Sequence, residues 1–211
     1  MIDPSASAHI YVHNGDLPDG LEFGDAIAVD TETMGLRFDR DRLCLVQMTD
    51  GDGNVHLVKF GLDEYAAPKL RACLNDNSRL KIFHFGRFDM AVLSRFLNID
   101  CRPVYCTKIA SKIARTYTDR HGLRDLVREL LGADMTKTEQ SSDWGRNELT
   151  EAQKLYAARD VSYLHQLRDR LDAMLRREGR LKYAQECFKF LPARVELDLA
   201  GWGDVDIFAH S

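Results

Sequence analysis

Ile27-Ala28-Val29-Asp30-Thr31-Glu32 sets an apolar run against two acids. Three consecutive apolar residues read as a strand buried on both faces, which places it inside a sheet rather than at its margin. Asp30 and Glu32, two residues apart, project to the same side while the strand lasts. Both then lie at the carboxyl edge of a central strand, where α/β proteins bind ligands. Outward from this stretch, residues 43–48 and 55–58 are further apolar strands joined through Asp50-Gly51-Asp52-Gly53-Asn54, a hairpin signal. Residues 63–74 read as a helix and 80–85 as a strand. Gly86 leads into a helix carrying Leu93, Phe96 and Leu97, and 103–106 is a short strand. Helices follow near 107–116 and 121–131, then a polar loop over 132–149, a long helix capped by Thr150 and a helix near 179–191. The order predicts an α/β fold, a mixed sheet flanked by helices.

The chain has 211 residues, which at about 150 residues per domain predicts a single domain over 1–211. Its 29 basic and 33 acidic residues leave a net charge of −4, which argues against a protein that holds long nucleic acid by bulk charge. Hydrophobic content of 45% and charged content of 29% are those of a globular protein, not of a disordered or collagen-like one. Cys44, Cys73, Cys101, Cys106 and Cys187 are odd in number and contain no CxxC, so neither a disulfide framework nor a zinc site is expected. The first residues have no basic region followed by an apolar one, and no apolar run is long enough to span a membrane. A cytoplasmic location is expected, with no membrane partner.

Two further acids stand where apolar residues belong. On a helical wheel Asp89 aligns with Leu93 and Phe96, so it faces the core. Asp160 falls in line with Leu164, Leu167 and Leu171 of the long helix, with Tyr156 one turn earlier on the same face. Singly, each acid has a bland account: Asp-x-Glu is common, Asp89 suits the start of a helix, and Asp160 can be a satisfied buried acid. Burying them unpartnered costs several kcal/mol each, so pairing with a base or binding a metal must compensate. The local bases, Arg87 and Arg159, lie too near their acids in sequence to share their helix face. Four carboxylates, all oxygen donors, suit Mg²⁺ or Mn²⁺, and two such ions about 3.5–4 Å apart clamp an in-line phosphoryl displacement.

Val29-Asp30-Thr31-Glu32-Thr33 with Gly35-Leu36, His84-Phe85-Gly86-Arg87-Phe88-Asp89 and Tyr156-Ala157-Ala158-Arg159-Asp160 follow one another along the chain. They resemble the three motifs of the DEDD superfamily of 3′–5′ exonucleases, in its ribonuclease D-like branch. Tyr156 stands four residues before Asp160, and Leu155 stands where the other subtype carries His, so the third motif resembles the tyrosine (DEDDy) subtype. Gln140-Ser141-Ser142-Asp143-Trp144 resembles the loop that precedes this motif in ribonuclease D. Residues 107–112, 115–123 and 201–211 are similar to the nano-RNase C group, compact enzymes that split dinucleotides at the end of RNA decay.

The resemblance implies a ribonuclease H-like fold, two divalent metal ions (Mg²⁺ or Mn²⁺) and a ring-shaped homo-oligomer, an octamer. It implies 3′–5′ hydrolysis of short RNA, dinucleotides foremost, with activity on short DNA left open. Asp30, Glu32 and Asp160 would hold the metal that activates the attacking water; Asp30 and Asp89 would hold the second. Tyr156 would position the water, since a phenol with a pKa of about 10 is a poor base at neutral pH. Leu36 could wedge between two bases or pack in the core, and His84 and Phe88 could stack on the 3′ nucleotide or belong to the core. Residues 102–128 carry seven basic side chains against two acidic, a net of +5 in a chain of −4. Part of that is a solvated helix face. Arg115, Arg120, His121, Gln140 and Ser141 are candidates for a 5′-phosphate pocket. The apolar segment near 179–211 either covers the chain's own core or contacts another subunit. Rival readings are a ribonuclease D-like trimmer of longer RNA, a DNA proofreading exonuclease, and a catalytically silent nucleic-acid scaffold.

Overall fold

All seven residues of Leu43–Thr49 are buried, which requires a strand covered on both faces. It is β3 of a six-stranded sheet in a computed structural model that describes residues 8–135 and 142–210. Its fellows are β1 (His9–Asn14), β2 (Ala26–Thr33), β4 (Asn54–Lys59), β5 (Leu80–Phe83) and β6 (Val104–Cys106), in the order β1-β4-β3-β2-β5-β6. β2, β3 and β4 run antiparallel as a meander; β1 joins β4, β5 joins β2, and β6 joins β5, each in parallel. The helices are α1 (Pro68–Asn75), α2 (Arg87–Leu97), α3 (Thr107–Ala114), α4 (Leu123–Leu126), α5 (Glu151–Ser162), α6 (Leu164–Arg177) and α7 (Leu181–Leu197). α5 packs on β1 to β4, α2 on β2 and β3, and α6 on β5, so the mixed sheet flanked by helices is the observed architecture. Among the described residues no helix is long and apolar enough to cross a membrane.

Several boundaries differ from expectation for local reasons. β1 was not expected: it lies at the sheet margin, and Ile10 and Val12 are the whole of its short apolar face among polar and mostly exposed neighbours. The helix expected over 63–74 starts only at Pro68, because Asp63 takes a φ of 57° and Pro68 fixes the first turn. Asp16 caps it from outside, accepting the Lys69 and Leu70 amides at 3.0 and 2.8 Å. The strand expected over 80–85 ends at Phe83, since Phe85 is left-handed with φ 63°. The stretch 121–131 is α4 followed by a π-helical turn, Val127–Leu131. α7 runs six residues past the expected end, through Pro192, into a second π-helical turn, Asp198–Trp202.

The long helix is two. α5 begins at a capping box between Thr150 and Gln153 and ends at Ser162; Tyr163 interrupts it before α6 begins. Near the break the Ser162 hydroxyl donates back to the Ala158 carbonyl at 2.6 Å, a contact that bends helices. The single stripe expected from Asp160 to Leu171 is therefore divided. Leu164, Leu167 and Leu171 are buried, whereas Asp160 belongs to the α5 surface shared with Tyr156.

Candidate active site

Asp30 and Glu32 project from β2 just before a bulge at Glu32/Thr33. A bulge re-aims side chains at the end of a pairing ladder. Between them Thr31 points the other way, and its amide and hydroxyl both donate to Asp89 Oδ1, at 3.1 and 2.7 Å. Asp89 reaches this point because α2 starts abruptly at Gly86, where a Cβ would sit 2.6 Å from that of Phe83. Asp160 arrives from α5, and carboxylate oxygens of Asp30, Glu32 and Asp160 lie within 4.8 Å of one another.

The bonds that steady these acids come from neutral groups. Buried Gln47 on β3 faces Asp30 in the ladder and donates to its Oδ2 at 3.0 Å. The Tyr156 hydroxyl hydrogen-bonds Asp160, and its ring lies 6.0 Å from that of buried Trp144. Burial and the charges of Asp89, Asp160 and Glu32 push Asp30 well above the usual carboxylate range. Burial, then Asp160 and Asp89, do the same to Glu32. Burial lifts Asp89 to about 7 despite the Thr31 bonds, and lifts Asp160 to about 7 despite the Tyr156 bond. Tyr156 is raised too, by burial and then by the carboxylates, so it stays a phenol at neutral pH. An all-oxygen, like-charged, partly buried set of this kind fits a hard divalent cation, whose charge would reverse those shifts.

Other expected residues fall into distinct groups. Leu36 is 90% exposed, which excludes the core alternative. Its loop is held by Asp41, which accepts the Arg37 amide at 2.9 Å. His84 is half-buried, with Nδ1 2.9 Å from the Thr107 hydroxyl, which itself donates to the Phe83 carbonyl. Thr107 must then accept from His84, so Nδ1 carries the proton and Nε2 is left as an acceptor. Burial and nearby Lys108 depress this imidazole to about 3, so it is neutral. Phe88 is half-buried against the core.

Arg115 is a correction. It is fully buried, and its guanidinium is taken by Glu129, the Ser111 hydroxyl and the Arg120 carbonyl. It shapes the 115–122 turn instead of facing open space. His121 joins the same cluster through Ser111, at 2.8 Å, and Arg120 is exposed beside it. None of these hydrogen bonds reaches the four acids. Gln140 and Ser141 lie outside the described residues. Gln47, Thr31 and Thr107 were missed; a lone Gln inside the apolar run 43–48 was the signal available for the first.

Comparison with known proteins accords with this geometry. The profile of the 3′-5′ exonuclease family matches residues 16–176. Ribonuclease D of Granulibacter bethesdensis is 34% identical over 161 residues, which cover 76% of this chain and 40% of that protein. The chain thus spans about two fifths of the length of the curated relatives it matches. Among solved structures, Brucella melitensis NrnC superposes with a TM-score of 0.92 at 53% identity, covering 96% of this chain and 99% of that one. Structures of the same Brucella protein exist bound to pGG and with bound Mg²⁺. Escherichia coli RNase D superposes with a TM-score of 0.72 at 29% identity, over 81% of this chain and 45% of that one. The chain belongs to the 3′–5′ exonuclease family.

Proposed function

We propose that this chain hydrolyses short RNA, dinucleotides foremost, from the 3′ end to 5′-mononucleotides. The observation that carries this reading is the likeness to Brucella NrnC, whose solved forms include one bound to pGG, at 53% identity against 29% for Escherichia coli RNase D. Asp30, Glu32, Asp89 and Asp160 would hold two divalent metal ions, Mg²⁺ or Mn²⁺. When bound, the metal supplies Lewis-acid activation of water and neutralises charge on the phosphoryl oxygens. Gln47 and Thr31 keep Asp30 and Asp89 at fixed angles, so the acids present oxygens without reorganising. The Tyr156 hydroxyl, retained as a phenol, orients the attacking water by a hydrogen bond. Leu36 offers an apolar edge to the bases, Phe88 lies near the 3′ nucleotide, and neutral His84 offers Nε2 as an acceptor. Arg120 and His121, with Gln140 and Ser141, would receive the 5′-phosphate, with Arg115 as their support. The segment around 179–211 would make contacts in a ring of copies, an octamer.

A length series of 5′-labelled RNAs from two to seven nucleotides, with Mg²⁺, tests this. Strong preference for the two-mer is expected. Equal rates across lengths would favour a trimmer of longer RNA, the reading that the ribonuclease D relatives support. Absence of metal-dependent mononucleotide release would overturn both. Deleting residues 200–211 should dissociate the ring; an intact ring after deletion would count against that contact.

A further inference from the structure

We propose that Arg87, Asp198 and Arg194 form a positioning device that sets Asp89, so that the C-terminal segment governs how tightly the site takes its metal. The inference rests on the reading that Asp89 belongs to the metal-holding set.

Arg87 opens α2, two residues before Asp89. Its Nε and Nη2 donate to Asp198 Oδ2 and Oδ1 at 2.5 and 2.7 Å. Arg194, on α7, donates to the same Oδ1 from Nε at 3.0 Å and from Nη2 at 2.5 Å. The remaining donors reach chain carbonyls beyond the helix. Arg87 bonds that of Gly203 at 2.9 Å, and Arg194 those of Trp202 at 2.6 Å and Val205 at 3.1 Å. One buried carboxylate and two forked guanidinia thus clip residues 198–205 to the first turn of α2.

The same turn also buries Asp89 and Met90 and packs Phe88 on the core, but, Asp89 itself aside, no charged group of the turn other than Arg87 ties it to another element through directional bonds among the described residues. Its capping position is Gly86, which has no side chain to cap the free amides. Downstream, Asp89 Oδ1 takes both Thr31 bonds, and the Asp89 charge is felt by Asp30, Glu32 and Asp160. A path of directional bonds therefore runs from the C-terminal segment through Asp198 and Arg87 to an acid of the site. A buried ion cluster is a weak source of stability compared with apolar packing, but forked bonds fix angles that packing leaves loose. The segment so clipped exposes Trp202 and Val205, at 51% and 47%. The helix that carries Asp89 is thereby tied to a surface able to dock elsewhere.

The test uses the full chain with Mn²⁺ as probe, its binding followed by electron paramagnetic resonance and, in parallel, the Mn²⁺ dependence of dinucleotide turnover. Parent, Asp198→Asn, Arg87→Met, Arg87→Lys and Asp89→Asn are compared well below their melting temperatures. Asp198→Asn and Arg87→Met should raise the half-saturating Mn²⁺ by about tenfold or more, the scale on which outer partners of metal ligands act. Arg87→Lys, which keeps the charge but loses the fork, should fall between parent and Arg87→Met. Parental Mn²⁺ midpoints in Asp198→Asn and Arg87→Met, with Asp89→Asn defective, would overturn the positioning role and leave the site reading standing. Asp89→Asn that binds Mn²⁺ and turns over like the parent would overturn the site reading itself. Should Asp198→Asn fail to fold, Arg87→Lys carries the test: a shift of about threefold supports the role, and a parental midpoint overturns it.

Discussion

Asp89, in the first turn of α2, and Asp198, bonded to that turn from the end of α7, are both buried carboxylates, and the chain treats them in opposite ways. Burial pushes Asp198 up, but the bonds and charges of Arg87 and Arg194 outweigh it and hold the carboxyl below its ordinary range. Asp89 receives neutral donors, from Thr31 and from its own amide, shares its surroundings with three other acids, and is lifted by burial to about 7. Identical chemistry at the ends of a few bonds thus gives a group that is complete within the fold and a group that is not. The first is a strut. The second is stabilised only when positive charge comes from outside, which is how a folded chain stores affinity for a cation.

Substitutions separate the two regions. Asp30→Asn should lower turnover by at least about a hundredfold, yet raise the metal-free melting temperature by removing one of several like charges. A lowered metal-free melting temperature would mean that the acids are a structural unit after all. Tyr156→Phe should reduce turnover by about ten- to a hundredfold with metal binding largely kept; unchanged turnover would remove Tyr156 from the mechanism. Asp198→Asn acts in the other direction on the fold, costing about 1–3 kcal/mol in urea unfolding because two guanidinia lose a shared counter-charge and Arg87 is partly solvated. Equal stability of parent and variant would erase the contrast.

Acidity distinguishes the regions without mutation. Between the ordinary carboxylate value of about 4 and about 7, the folded metal-free chain keeps protons on Asp89 and Asp160 that the unfolded chain has lost. These two acids therefore contribute stability that is lost as pH rises through that window, while neutral, buried His84 contributes in the opposite sense; saturating Mg²⁺ should remove the acids' share of the slope. Asp160→Asn lacks one of the two raised acids, so metal-free melting curves of parent and Asp160→Asn that run parallel from pH 5 to 7.5 would contradict the raised values. The smallest expected effect is that of Leu36→Ala on the fold, within about 0.5 kcal/mol; its effect should appear instead as a higher KM for dinucleotides.

The acids were legible in the sequence because each broke a pattern: two ended an apolar strand, and two stood on apolar helix faces. Such violations need only local periodicity to be seen. Gln47 was less legible, since a single amide inside a strand does not reveal what lies across the ladder. β1 escaped because its alternation is only Ile10 and Val12, too short to stand out in a mostly exposed margin strand. The break at Tyr163 escaped because Leu164, Leu167 and Leu171 keep helical spacing with the residues before it, so periodicity alone runs through the interruption. Arg115 looked like a free cation for the same reason: composition counts charges, whereas its partner Glu129 and the Arg120 carbonyl are brought to it by the turn.

Leu36 carries a thermodynamic consequence. Its side chain stands almost wholly in water, so folding gains nothing from it, whereas covering it is worth about 1.5–3 kcal/mol. Calorimetry of dinucleotide binding should register that surface as a negative heat-capacity change, and Leu36→Ala should shrink it even where the measured enthalpy at one temperature barely moves.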